Sequence, residues 1–182
     1  DLGGRPELGV ADGHGQVFVN LEDSSAVVRF DARTLEAGAR WPLAPGEEPT
    51  GIALDAEHHR LFSVCADSLM IVLDSETGRV VATLPTGSGT DGAAFDPASQ
   101  MAYSSNGSGT LTMIHEDAPD RFSVVGNVTT QRGARTLALD SRTHRIYLPA
   151  ANYGERPAAT PENPRPRLPM VPGSFVILVL DR

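Results

Sequence analysis

Apolar residues along this chain come in short runs bounded by clusters of Asp, Ser, Thr, Gly and Pro, and no run has the length or the 3.6-residue spacing of a helix. The stretch 49–85, PTGIALDAEHHRLFSVCADSLMIVLDSETGRVVATLP, shows the unit most plainly. Its runs at 51–54, 60–64, 70–73 and 80–84 predict four short strands. Asp55 opens the turn after the first run, Ala66, Asp67 and Ser68 form the second, and Asp74 opens the third, which ends at Gly78. Glycine there tolerates the positive φ that such turns require. Four strands joined by tight turns make one antiparallel sheet.

The unit recurs. Asp12, Asp55, Asp96 and Asp140 each close a small or apolar triplet at intervals of 43, 41 and 44 residues, while Phe18, Phe62, Tyr103 and Tyr147 mark the second run at intervals of 44, 41 and 44. A period of about 40–45 residues with four strands per copy is the pattern of a propeller, whose blades bury their faces against their neighbours. A sandwich of unrelated strands gives no reason for a held period. The predicted fold is therefore an all-β propeller of four-stranded antiparallel blades, about four of them, at 6–43, 49–85, 91–128 and 134–182.

Two copies depart from the pattern. In the third, the third run ends in His115, Glu116 and Asp117 where the first and second copies have the lone turn-opening residues Asp31 and Asp74. In the fourth, residues 150–172 intervene between the second and third strands, and seven of the chain's 14 prolines lie between Pro149 and Pro172. Proline lacks the donor that a central strand needs, so this segment is expected to be extended, as an ordered flap across one face. Three complete copies and three strands of a fourth do not close a ring. The expectation is the C-terminal part of a longer propeller, with further blades supplied upstream or by a second chain; a four-bladed ring is the alternative.

Charge and composition narrow the chemistry. With 15 Lys and Arg against 23 Asp and Glu, the net charge of −8 argues against a nucleic-acid surface, and no apolar run reaches the length of a membrane span. The single cysteine, Cys65, reads as a buried small hydrophobe, and the single tryptophan, Trp41, as packing between blades. Serine-hydrolase, phosphate-loop, zinc-protease and paired-cysteine motifs are absent, so no catalytic residue is assigned. His58 and His59 are adjacent in a turn and read as solvated rather than as a metal cage. His115 lacks a second histidine at ligand spacing. No metal and no cofactor is expected.

Aligning the copies gives a better candidate. Five positions before each marker aspartate stand Glu7, Thr50, Asp91 and Arg135, which repeat equivalence places where the innermost strands begin, facing a central channel. Loops from the second to the third strand open on the same face and bring Asn20, Glu22, Asp23, Asp67, Asn106 and Tyr153. Carboxylates near one arginine suit a cation, a sugar or a small polar ligand.

The stretches PTGIALDAEHHRLFSV and MIVLDSETGRVVATLPTG resemble the YVTN-repeat β-propellers, the YncE-like bacterial family. The final stretch, GARTLALDSRTHRIYLPAANYGERPAATPENPRPRLPMVPGSFVILVLDR, is similar to that family's C-terminal blade. No copy spells the tetrapeptide itself, Val17-Phe-Val-Asn20 being nearest. The resemblance implies a seven-bladed ring exported to the periplasm or cell surface, and it carries no catalytic motif with it. The leading functional reading is a non-catalytic propeller that binds a small polar ligand or a protein partner. The alternatives are a metal-assisted lactonase or hydrolase, with Glu22, Asp91 and Asn106 as ligands, and a structural or redox-partner module.

Overall fold

Aspartate side chains set the turns, and the turns set the register. The computed structural model of the chain describes residues 1–181. Asp31 Oδ1 accepts the backbone N–H groups of Arg33 and Thr34 at 2.8 and 2.9 Å, and Asp74 Oδ1 accepts those of Glu76 and Thr77 at 3.1 and 2.8 Å. The periodic markers do the same in the first turn of each copy: Asp12 holds His14 and Gln16, Asp55 holds Glu57, Asp96 holds Ala98, and Asp140 holds Arg142. A short carboxylate that accepts amides two and three residues on closes a tight turn wherever it recurs. The period of the sequence is thus a period of turns.

Between those turns lie fifteen strands among the described residues. The first sheet contains β1 (Pro6–Ala11), β2 (Gln16–Leu21), β3 (Ala26–Asp31) and β4 (Ala37–Pro42). The second contains β5 (Pro49–Asp55), β6 (Arg60–Cys65), β7 (Leu69–Asp74) and β8 (Val80–Pro85). The third contains β9 (Thr90–Asp96), β10 (Met101–Asn106), β11 (Thr110–Ala118) and β12 (Arg121–Thr129), and the fourth β13 (Ala138–Asp140), β14 (Arg145–Ala150) and β15 (Val176–Leu180). Strands pair antiparallel in sequence order within every sheet. A 3₁₀ turn at Glu22–Ser24 is the one helical element among the described residues, so no helix there is long and apolar enough to cross a membrane.

The core lies in the seams between sheets. Strand β6 is buried on both faces: Leu61 and Cys65 pack toward the first sheet, while Phe62 and Val64 pack toward the third. Phe62 stacks on Phe95 at 5.1 Å and meets the edge of Phe122 at 5.8 Å. The first seam closes on Phe18, Trp41, Ile52, Ile71 and Leu73, and the third on Tyr103, Leu111, Ile146 and Leu148. Faces that bury only against neighbouring sheets are the propeller arrangement expected from the period. Trp41 is buried, stacked on Phe18 and covered by the Arg29 guanidinium at 5.6 Å. Cys65 is fully buried, and burial pushes its thiol up to about 12, so it is inert packing.

The first strands of successive sheets stand side by side at the centre. Glycine makes this possible: a Cβ on Gly51 of β5 would lie 2.6 Å from the Ala93 nitrogen of β9, and one on Gly92 would lie 3.0 Å from the Leu137 nitrogen. Residues flanking these glycines are therefore held on adjacent inner strands. On the fourth sheet, Leu178 and Leu180 turn into the third seam, whereas Ile177 and Val179 on the opposite face are 55% and 51% exposed.

Candidate functional site

Of the four repeat-equivalent positions, Glu7 lies on β1, Thr50 on β5 and Asp91 on β9, while Arg135 lies just before β13. Asp91 Oδ2 is 3.6 Å from Arg135 Nε, and the arginine side chain stays 64% exposed. Thr50 hydroxyl reaches back to the carbonyls of Val64 and Thr90 at 3.4 and 3.3 Å and so belongs to the scaffold. Glu7 is raised above the ordinary glutamate value, first by a hydrogen bond with the Glu22 carboxyl, then by burial and the Glu22 and Asp91 charges.

The loop residues divide in two. Asn20 is fully buried: its amide donates to the carbonyls of Thr50 and Gly51 at 3.1 and 3.0 Å, and its oxygen accepts from Ser63. Asn106 is buried likewise, with its amide donating to Thr110 and Thr112 and its oxygen accepting from Ser104. Both lie in strands rather than in loops, Asn20 at the end of β2 and Asn106 at the end of β10, and both spend their amides cross-linking strands rather than facing a ligand. Glu22 pairs with Arg5, and Asp23 accepts the Arg5 amide at 2.9 Å. Glu22, Asp91 and Asn106 therefore have separate commitments rather than a common centre. Asp67 is exposed.

Tyr153 belongs to the proline-rich segment, which folds as a strap paired with itself. Tyr153 bridges Met170, Gly154 donates to Pro169 at 2.8 Å, Val171 donates to Asn152 at 2.9 Å, and Arg156 donates to the Pro166 carbonyl at 2.6 Å. The base of the strap stands beside Gly107, in the β10–β11 turn, and Arg132, with which Tyr153 and Leu168 line a cleft of about 540 Å³. A second cleft of about 350 Å³ runs between Arg135, Thr136, Tyr153, Met170 and Phe175. Arg135 thus joins the inner-strand row to the strap.

The opposite rim holds a cluster that sequence reasoning read as a solvated turn. His58 Nδ1 lies 2.7 Å from Asp55 Oδ2 and 3.4 Å from Glu116 Oε1, and the imidazole is 29% exposed. His59, at φ +57°, lines a different cleft with Asp12, His14 and Arg29. Glu116 is 3% exposed, and neither of its carboxyl oxygens has a hydrogen-bond partner. Burial, followed by the neighbouring Asp55 charge, pushes Glu116 up to about 7. Arg60 is close by but engaged with Asp74 at 3.0 Å and Asp120 at 2.8 Å. The equivalent turns of the next two sheets hold a hydroxyl where His58 stands: Ser99 donates to Asp96 Oδ2 and Thr143 to Asp140 Oδ2, each at 2.7 Å. His58 occupies this turn-locking position, and Glu116 is the added group. It stands where Ala32 and Ser75 stand in the first two sheets, each donating its N–H to the carbonyl just before the second strand, so the side chain and not the backbone is what differs. The run His115, Glu116, Asp117 was the sequence signal. His115 itself pairs with Asp117 at 2.7 Å.

No protein-family model and no curated protein sequence matches the chain. Among solved structures, the chain is similar to Kuenenia stuttgartiensis hydrazine synthase, with a TM-score of 0.74 and 18% sequence identity. The alignment covers 85% of this chain and 44% of that one, so the present chain spans under half of its neighbour's length. At this identity the likeness is one of fold.

Proposed function

We propose that the chain belongs to a non-catalytic, exported binding propeller in which Arg135 anchors the anionic end of a small polar ligand. The observation that carries this reading is the double setting of Arg135, whose exposed guanidinium lies 3.6 Å from Asp91 and also lines the 350 Å³ cleft beside Tyr153. A guanidinium is a rigid fork of donors that matches a carboxylate, and Asp91 holds it in place before a ligand arrives. Glu7, exposed on the same inner-strand row, accepts from hydroxyl or ammonium groups at the other end. The ligand class is a small carboxylate bearing hydroxyl or amino groups. Membership of the YVTN-repeat, YncE-like group, with its seven-bladed ring and periplasmic or cell-surface location, is part of the same proposal; the held period and the propeller fold support it.

The test is a calorimetric titration with a panel of hexuronic acids and α-amino acids on the wild type and on Arg135→Ala, with thermal midpoints measured alongside. The expected result is binding of at least one class that Arg135→Ala weakens at least tenfold at an unchanged midpoint, since exposed side chains outside the core usually cost little. Equal affinity in the variant, or no binding by either class, overturns the reading.

A further inference from the structure

The seam between the second and third sheets buries two carboxyl groups, Asp55 and Glu116, whose side chains are 1% and 0% exposed. Asp55 is satisfied by the Glu57 amide and His58. Glu116 is not: neither oxygen has a well-formed hydrogen bond, and its neighbours are the His58 imidazole at 3.4 Å and the Asp55 carboxyl. An ionised carboxylate buried without a partner costs several kcal/mol, so native proteins pair such a group or give it a metal. Arg60, the nearest guanidinium, has its donors on Asp74, Asp120 and the carbonyls of His59 and Pro119. One ligand atom each from Asp55, His58 and Glu116 lies within 4.8 Å of the others.

We propose that Asp55, His58 and Glu116 form a zinc-class divalent metal site that clamps the second sheet to the third. The His58 Nδ1 to Glu116 Oε1 separation of 3.4 Å is the spacing of two ligands on a tetrahedral ion with bonds of about 2.0–2.1 Å. The shorter His58–Asp55 contact of 2.7 Å is a hydrogen bond that metal binding replaces. Neutral imidazole beside two carboxylates suits Zn²⁺ or Co²⁺, whereas Mg²⁺ and Ca²⁺ prefer oxygen donors alone. Partial exposure of the imidazole, 29%, supplies an entry path. Asp55 ends β5, His58 lies in the turn after it and Glu116 comes from the end of β11, so the ion adds a tie between sheets already joined by packing, the Arg60–Asp120 pair and the Thr50 and Thr90 hydrogen bonds. The proposal is independent of the Arg135 site, which lies on the other rim.

Chelator-treated protein titrated with Zn²⁺ by calorimetry, and with Co²⁺ by absorption, tests it. The expected result is one ion per chain, a visible Co²⁺ spectrum of tetrahedral intensity, and a thermal midpoint that rises with Zn²⁺ but not with Mg²⁺. Glu116→Gln keeps the shape and removes the charge, and it should weaken Zn²⁺ binding at least tenfold while folding normally; His58→Gln should do the same. His59→Gln, on the turn but facing away, should bind as the wild type does. Unchanged binding in Glu116→Gln, or a loss in His59→Gln equal to that in His58→Gln, identifies adventitious surface histidines and overturns the site.

Discussion

At the scale of single residues, packing and conformation can converge on one position, as they do at Gly78. It adopts φ +73°, and a Cβ built there would lie 2.1 Å from the indole of Trp41. Gly78→Ala combines left-handed strain with overpacking of a rigid ring, about 3 kcal/mol together. The expected outcome is a thermal midpoint lower by about 6–12 °C for a chain of this size. Trp41 is the only tryptophan, so its emission reports the displacement directly, and an unshifted spectrum with an unchanged midpoint would disprove the contact. Gly78 was legible in the sequence as a turn residue. Its partner was not, because Trp41 comes from the fourth strand of another copy. Asn20 and Asn106 show the same limit from the other side. Both read as ligand-facing loop residues, but they end strands and their amides turn inward, where burial demands that every donor and acceptor be met.

At the scale of strands and turns, the sequence was nearly transparent, since the aspartates that mark the period are the groups that close the turns. The 3–4 turn at Asp31 gives a pH test with a definite sign. Hydrogen bonds from the Thr34 and then the Arg33 amides hold the Asp31 carboxyl below its ordinary value. A depressed folded-state pKa contributes stability that is fully present above the unfolded value of about 3.9 and is lost as the pH falls through the folded value. Asp31→Ala should therefore lower the midpoint by about 1–3 °C at pH 7. The gap between variant and wild type should stay constant above about pH 5 and narrow as the pH falls below the unfolded value of about 3.9. Melting curves across that range decide it, and a gap that widens in acid would contradict the assignment. What strand patterning could not predict was the neighbour of Glu116. Alternation fixes which face a residue joins, but not what meets it across a seam, and Glu116 keeps the backbone place of Ala32 and Ser75 while its side chain reaches the Asp55 turn of the second sheet.

At the scale of the whole molecule, seams are both what holds the chain together and what a linear reading sees least. Each blade has two faces, and the residues that meet across a seam come from different copies, so Asp55 with Glu116, or Asp91 with Arg135, become neighbours only once the sheets are stacked. The fold was legible because it depends on the period; the sites were half-legible because they depend on the stacking. The far face of the fourth sheet follows from the same logic. Leu178 and Leu180 fill the third seam, but Phe175, Ile177 and Val179 leave a continuous apolar surface exposed. Contiguous apolar area of this kind marks an interface, and in a propeller its natural cover is the face of another blade. The chain of 182 residues on its own should consequently self-associate with rising concentration and bind a hydrophobic dye. Ile177→Ser with Val179→Ser should reduce both effects at a nearly constant midpoint, because outward-facing side chains contribute little to the seam behind them. Light scattering after size exclusion gives the mass of each form. If the wild type stays monomeric at high concentration and leaves the dye dark, the face is not an interface and the blades need no further partner there.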